Sequence, residues 1–134
     1  MPVPVVIQQH MFNTLAGYAG VANLVGSRVY PDNADQGVAK PYLVWQEVSL
    51  LKVGNDLGGS VESSGLDNYR IQVTAWANGI KGASDARALD YQVRLAMIAA
   101  TAFKSLHIDS RALPFEPETK MYGFQSDFSV WLNT

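Results

Sequence analysis

Few side chains in this chain have the type and spacing for chemistry. A serine nucleophile on a strand-to-helix elbow needs Gly-x-Ser-x-Gly, and the nearest segment, Gly58-Gly59-Ser60-Val61-Glu62, lacks the final glycine. No Gly-Lys-Ser/Thr follows it and no apolar strand leads into it, so it does not read as a phosphate cradle either. The two histidines, His10 and His107, lie far apart, and a triad or a two-histidine metal site would require both to converge with a carboxylate. Each therefore reads as an ordinary surface or half-buried imidazole. Asp32 and Asp35 have something of a calcium loop, but Ala34 stands at its third position and no glutamate closes the twelve-residue frame. Glu116 and Glu118 flank Pro117 on one side of an extended segment, without the apolar surroundings that an acid/base pair needs, so they read as a solvated rim. The expectation is no catalysis, no cofactor and no metal.

The bulk numbers agree with a structural role. In 134 residues, 48% hydrophobic and 16% charged, there is material for one core and a surplus of apolar side chains. Ten basic and twelve acidic residues leave a net charge of −2, which gives no electrostatic pull onto a phosphate backbone, so sequence-specific nucleic-acid binding is not expected. The absence of cysteine removes disulfides and thiolate chemistry together. The N-terminus lacks a basic region and a cleavage site, and the longest apolar stretch, Leu95 to Phe103, is too short to span a bilayer. A protein made in the cytosol, with no membrane partner, is expected.

The elements that would position these residues can be read from periodicity. Prolines at 2 and 4 suit a helix start, and Ile7, Met11, Leu15 and Tyr18 predict a first helix over about Pro4 to Ala16. Further turns are expected over residues 18 to 25. A short strand at Arg28 to Tyr30 stops at Pro31-Asp32. After Pro41 a second strand alternates, with Tyr42, Val44, Gln46, Val48 and Leu50 on one face and Leu43, Trp45, Glu47 and Ser49 on the other. Residues 53 to 65, rich in Gly, Ser, Asn and Asp, predict a mobile hairpin loop. A third strand follows, with Tyr69, Ile71, Val73 and Ala75 opposed to Arg70, Gln72, Thr74 and Trp76, and pairs antiparallel with the second. Ser84 caps a long helix whose apolar stripe runs through 86, 89, 93, 96, 100 and 103, ending near Phe103 or Lys104. A weaker strand is expected around Leu106 to Leu113, and a last strand alternates from Tyr122 to Leu132. The fold class is α+β: one domain over residues 1–134, with an antiparallel sheet of four to five strands packed against an N-terminal helix and one long central helix.

The indoles are the residues left without a home in this scheme. Trp76 shares a strand face with Arg70, Gln72 and Thr74, and Trp131 one with Gln125, Asp127 and Ser129. Trp45 lies on the mixed face of the second strand. If the wholly apolar faces make the core, all three rings point away from it. Tyr91, Leu95 and Ile98 likewise lie beside the core stripe of the long helix rather than in it. Aromatic anchors among hydrogen-bonding groups have the character of a subunit interface.

Val29-Tyr30-Pro31, Gln36-Gly37 followed by Pro41-Tyr42, Arg70-Ile71-Gln72-Val73 with Trp76, and Asp127-Phe128-Ser129-Val130-Trp131 occur in an order and spacing that resembles the bacteriophage tail-completion family, the tail terminator-like proteins of long-tailed phages and prophages. The match runs from about Arg28 to Asn133; where the pattern commonly has an acidic residue in the third strand, this chain has Thr74. The resemblance implies a virion protein, assembled in the bacterial host cytoplasm, that forms a ring of six copies at the head-proximal end of the tail. The ring would stop tube polymerisation and join tail to head, with the tail-tube protein and a head-completion or connector protein as partners. The expected interface residues are Trp45, Trp76, Trp131, Arg70, Asp127, Tyr91, Asp32 and Asp35. A tail-tube or connector subunit is the alternative in the same particle. A small-molecule-binding or hydrolytic α+β domain would instead need a polar pocket converging on His10 or His107.

Overall fold

A computed structural model of the chain describes residues 6–34, 37–53 and 66–133. It has three helices and a five-stranded sheet. The helices are α1 (Val6–Ala16), α2 (Ala19–Val25) and α3 (Gly82–Ala99), and the strands are β1 (Val29–Pro31), β2 (Tyr42–Val53), β3 (Leu66–Asn78), β4 (Lys104–Ala112) and β5 (Met121–Asn133). The α+β class and the helix, strand, helix, strand order are as the sequence implies. Asp35 and residues 54–65, where the mobile loop was expected, lie outside the described residues.

The strand order is β1-β2-β3-β5-β4. Three of the pairings are antiparallel, but β1 runs parallel to β2, with Val29 opposite Leu43 and Pro31 opposite Trp45. The expectation of an antiparallel sheet is corrected at this edge. Arg28 aligns the two strand starts: its side chain donates to the Pro41 carbonyl at 3.0 Å, and its own carbonyl accepts from the Leu43 amide at 3.0 Å. A second guanidinium nitrogen reaches the Leu24 carbonyl at 3.3 Å, where the last carbonyls of α2 have no helical partner.

Helix α3 begins earlier than its serine suggests. The chain reverses at Gly79, at φ +93°, a conformation that favours glycine. Lys81 is the N-cap residue, its carbonyl accepting from the Asp85 amide at 2.8 Å, so Ser84 lies inside the first turn. The helix ends at Ala99, short of Phe103, because Ala100 turns extended to lead into β4. Phe103 is nevertheless buried.

The core takes Ile7, Met11 and Leu15 from α1, Val21 and Val25 from α2, and Leu89, Val93, Ala96 and Met97 from α3. These meet Tyr69, Ile71, Val73 and Ala75 of β3 and Phe128, Val130 and Leu132 of β5. All three helices thus lie on one sheet face. On β2 that face is the one bearing Leu43 and Trp45, both buried, and not the Tyr42/Val44 face that the alternation favoured. A register shift between Glu47 and Ser49 accounts for the difference: Val48 is extra, and beyond it Leu50 joins the face of Leu43 and Trp45. Trp45 is therefore a core residue, and its expected outward orientation is corrected.

Since Trp45 is buried in the core, Trp45→Ala should cost about 3–5 kcal/mol, read as a fall in the urea midpoint with the slope unchanged. A loss below about 1 kcal/mol would contradict its placement.

Candidate assembly surface

The other sheet face carries the odd-numbered side chains of β5 and the even-numbered ones of β3, and no described helix packs on it. Its centre is polar and closed upon itself. Asp127, only 8% exposed, accepts from Gln72 Nε2 at 3.0 Å on β3 and from Arg70 Nη2 and Arg111 Nη1, each at 3.4 Å. Arg111 also holds Asp109 at 3.3 Å and donates to Gln125 Oε1 at 2.6 Å, while Gln125 Nε2 donates to Thr74 Oγ1 at 2.8 Å. Asn68 extends the pattern by donating to Ser129 Oγ at 2.8 Å. Asp109 and Asp127 are cross-strand partners, a like-charge pair that would repel without the guanidinium bridging them.

The indoles stand at the two ends of this network. Trp76 is flanked by Tyr42 on β2 and Gly123 on β5, and Trp131 by Asn68 on β3 and Lys104 on β4. Eight residues of strand separate the two positions, roughly 26 Å. Gly123 lets the Trp76 ring lie against the backbone: a methyl there would sit 2.8 Å from the indole and 3.0 Å from Leu113 Cδ1. Both indoles are half-buried. Arg70 and Asp127 are thus brought together between Trp76 and Trp131 as one surface. Tyr91 is exposed on α3, in the opposite layer, and Asp32 is exposed in the turn after β1, at φ +66°.

A second polar line crosses the helix-covered face. His107 Nε2 lies 2.6 Å from Ser110 Oγ, Ser110 Oγ 2.6 Å from Ser126 Oγ, and Ser126 donates to Asp90 Oδ1 at 2.5 Å. Arg94 Nε holds the other Asp90 oxygen at 3.2 Å. Asp90 is 1% exposed. The residue types are those of a hydrolase triad, but the carboxylate sits on a serine while the imidazole bonds Ser110, so the order is not that of a triad. The line instead pins β4 to α3. It was missed in the sequence, where its one signal is an aspartate beside Leu89 on the buried side of a helix and a serine between Phe124 and Phe128 on an apolar strand face.

His10 is elsewhere, on α1, lining a cavity of about 310 Å³ with Asn13, Thr14, Tyr18 and Thr101 among its other walls. No carboxylate lines that cavity. Among the described residues no group of three or more His, Asp or Glu side chains could hold a metal.

With this geometry in hand, comparison with known proteins identifies the lineage. The model of the family "Tail completion protein gp17" matches residues 9–133, and the chain belongs to that family. It is a structural protein of the phage tail. A chain from a solved structure, "Virion of native gene transfer agent (GTA) particle", has the same fold, with a TM-score of 0.72 at 15% identity, covering 96% of this chain and 95% of that one. No curated protein matches this chain.

Two of the buried carboxyls, Asp127 and Asp90, respond to pH in opposite directions. For Asp127, burial pushes the pKa up, but the hydrogen bonds from Gln72, Arg111 and Arg70 and the Arg111 charge outweigh it, and the pKa lies below that of a free carboxylate. Its contribution is therefore full above the unfolded value, near 4, and is lost as pH falls through the lower folded value. For Asp90, burial raises the value against the Ser126 and Arg94 interactions, so its contribution is present below the unfolded value and lost as pH rises through the folded one. Asp127→Asn should therefore be destabilised relative to the parent at pH 7, with the gap closing below about pH 4. Urea unfolding at both pH values checks this, and a gap that does not change with pH would contradict the charge-based account.

Proposed function

We propose that this tail protein is a terminator or tail-completion subunit. Six copies close into a ring at the head-proximal end of the tail, end tube polymerisation and join the tail to the head. Its partners are other copies of itself, the tail-tube protein and a head-completion or connector protein, met in the host cytoplasm during assembly. Residues 1–134 act as one domain, without catalysis, cofactor or metal.

The observation that carries the reading is the outer sheet face, where half-buried Trp76 and Trp131 flank a polar network whose groups already satisfy one another. Anchoring rings around a preorganised polar centre make a surface that another copy can cover without ordering it first. Family membership and the likeness to a virion chain support the same reading. A two-layer subunit also has different surfaces front and back, as a closed ring of heterologous contacts requires.

Native mass spectrometry over a concentration series, with and without tail-tube protein, should show one closed oligomer. Trp76→Ala or Trp131→Ala should weaken self-association at least tenfold, about 1.4 kcal/mol or more, while His10→Ala and His107→Ala leave it unchanged. Open-ended filaments would favour a tube subunit, and a strict monomer under every condition would defeat the ring.

A further inference from the structure

Helix α3 carries a second row of side chains besides the one that builds the core. Arg87, Tyr91, Arg94 and Ile98 follow at i, i+4, i+7 and i+11, which places them in one ridge more than about 90° around the helix from Val93. Its own subunit leaves this ridge largely open, with Tyr91 52% and Ile98 74% exposed. The ridge is stiffened from within. The Arg87 guanidinium lies 4.7 Å over the Phe124 ring, and that of Arg94 lies 5.5 Å over Tyr91 while bonding Asp90. Its exposed charge is wholly positive, since Asp90 is buried and Asp85, the only other acidic residue of α3, falls on the far flank.

Residues 113–118, Leu-Pro-Phe-Glu-Pro-Glu, make up the first part of the 113–120 connection between β4 and β5 and have the opposite character. They hold two glutamates and no basic residue, and the one cation of the connection, Lys120, follows at its far end beside β5. Pro114 and Pro117 fix their own backbone angles, the Glu116 and Met121 backbones bond to each other at 3.0 and 3.3 Å, and the Phe115 ring is set 4.7 Å from Tyr122. Phe115 is still 45% exposed, and Glu116 and Glu118 are exposed beside it. The segment begins at Leu113, which packs next to Trp76 above Gly123, so it continues the rim of the outer sheet face.

We propose that segment 113–118 of one copy docks on the Arg87–Tyr91–Arg94–Ile98 ridge of a second copy, its glutamates facing the guanidinium groups and Phe115 covering Tyr91 and Ile98. Charge complementarity between the two patches selects a second copy as the occupant, and the prolines keep the ordering cost low. The ridge lies in the helical layer and the segment on the rim of the sheet layer, so the contact is heterologous and passes from copy to copy. The inference rests on the ring reading above and supplies its second surface.

A charge exchange tests it. Arg87→Glu/Tyr91→Glu and Glu116→Lys/Glu118→Lys each create a like-charge contact, and all four substitutions fall on exposed side chains. Each variant alone should associate at least tenfold more weakly than the parent by analytical ultracentrifugation. An equimolar mixture should recover near-parental association, because every contact in an alternating ring is again matched. Circular dichroism and melting of each variant establish that it is folded; should one melt early, Arg87→Gln and Glu116→Gln/Glu118→Gln replace the pair, and both should then weaken assembly and reduce its salt dependence. If the parent assembles while both variants assemble equally well, or while the mixture remains as weak as its components, the docking is wrong and the ring reading stands. If the parent stays monomeric with tail-tube protein present, both fail.

Discussion

The structure depends on the two-sidedness of the long β3–β5 ladder. Thirteen residue pairs, from Leu66 with Asn133 to Asn78 with Met121, run without a slip through the middle of the sheet. Because side chains alternate, one parity of both strands is committed to the helices and the other is denied them. The committed parity is apolar apart from Asp67 and Ser126 and closes the core. The remaining parity must satisfy its polar groups sideways, across strands, and the Asp127 network does so. The polar outer face follows from the core: the same register that buries Ile71 against Phe128 sets Gln72 opposite Asp127.

Where alternation is regular, the sequence is a sufficient guide. The apolar face of β3, the outward faces of Trp76 and Trp131 and the core stripe of α3 are all legible, because each depends only on period. Arg70 and Asp127 could be named for the same reason, each sharing a strand face with an outward indole. What escapes is anything that depends on a change of phase. On β2 the extra residue Val48 reverses which parity faces inward beyond it, and before it Leu43 and Trp45 face inward, into the core they share with Val29 and α1. Both strand faces contain large side chains, so composition alone does not choose between them.

On β4 the register shifts between His107 and Asp109, and the shift has a larger effect. Simple alternation would put His107, Asp109 and Arg111 on one face. With Ile108 extra, His107 shares the helix-covered face with Ser110, three residues on, while Asp109 and Arg111 pass to the outer face. One bulge thus supplies the Ser110 link to Ser126 and Asp90 on one side and the Arg111 link to Asp127 on the other. A sequence reading has no access to this, since the chain near 108 contains neither glycine nor proline to mark it.

The polar links also explain how β4 is held. None of its nine residues is buried, so apolar burial contributes little to its position. Besides its ladder with β5, it is tied to α3 by Ser105, which donates to the Met97 carbonyl at 2.9 Å, and by the serine relay to Asp90. Hydrogen bonds give little net stability each but are directional, and a fully satisfied network fixes register where apolar contact would allow slippage. That fixity matters because β4 delivers Arg111 to the outer face and leads into residues 113–118. A loosely held edge would have to order both during association, at an entropic cost that lowers affinity. Holding them in place within one subunit leaves a preorganised face, and such a face would suit the proposed ring, in which small angular errors at each contact would accumulate and prevent closure.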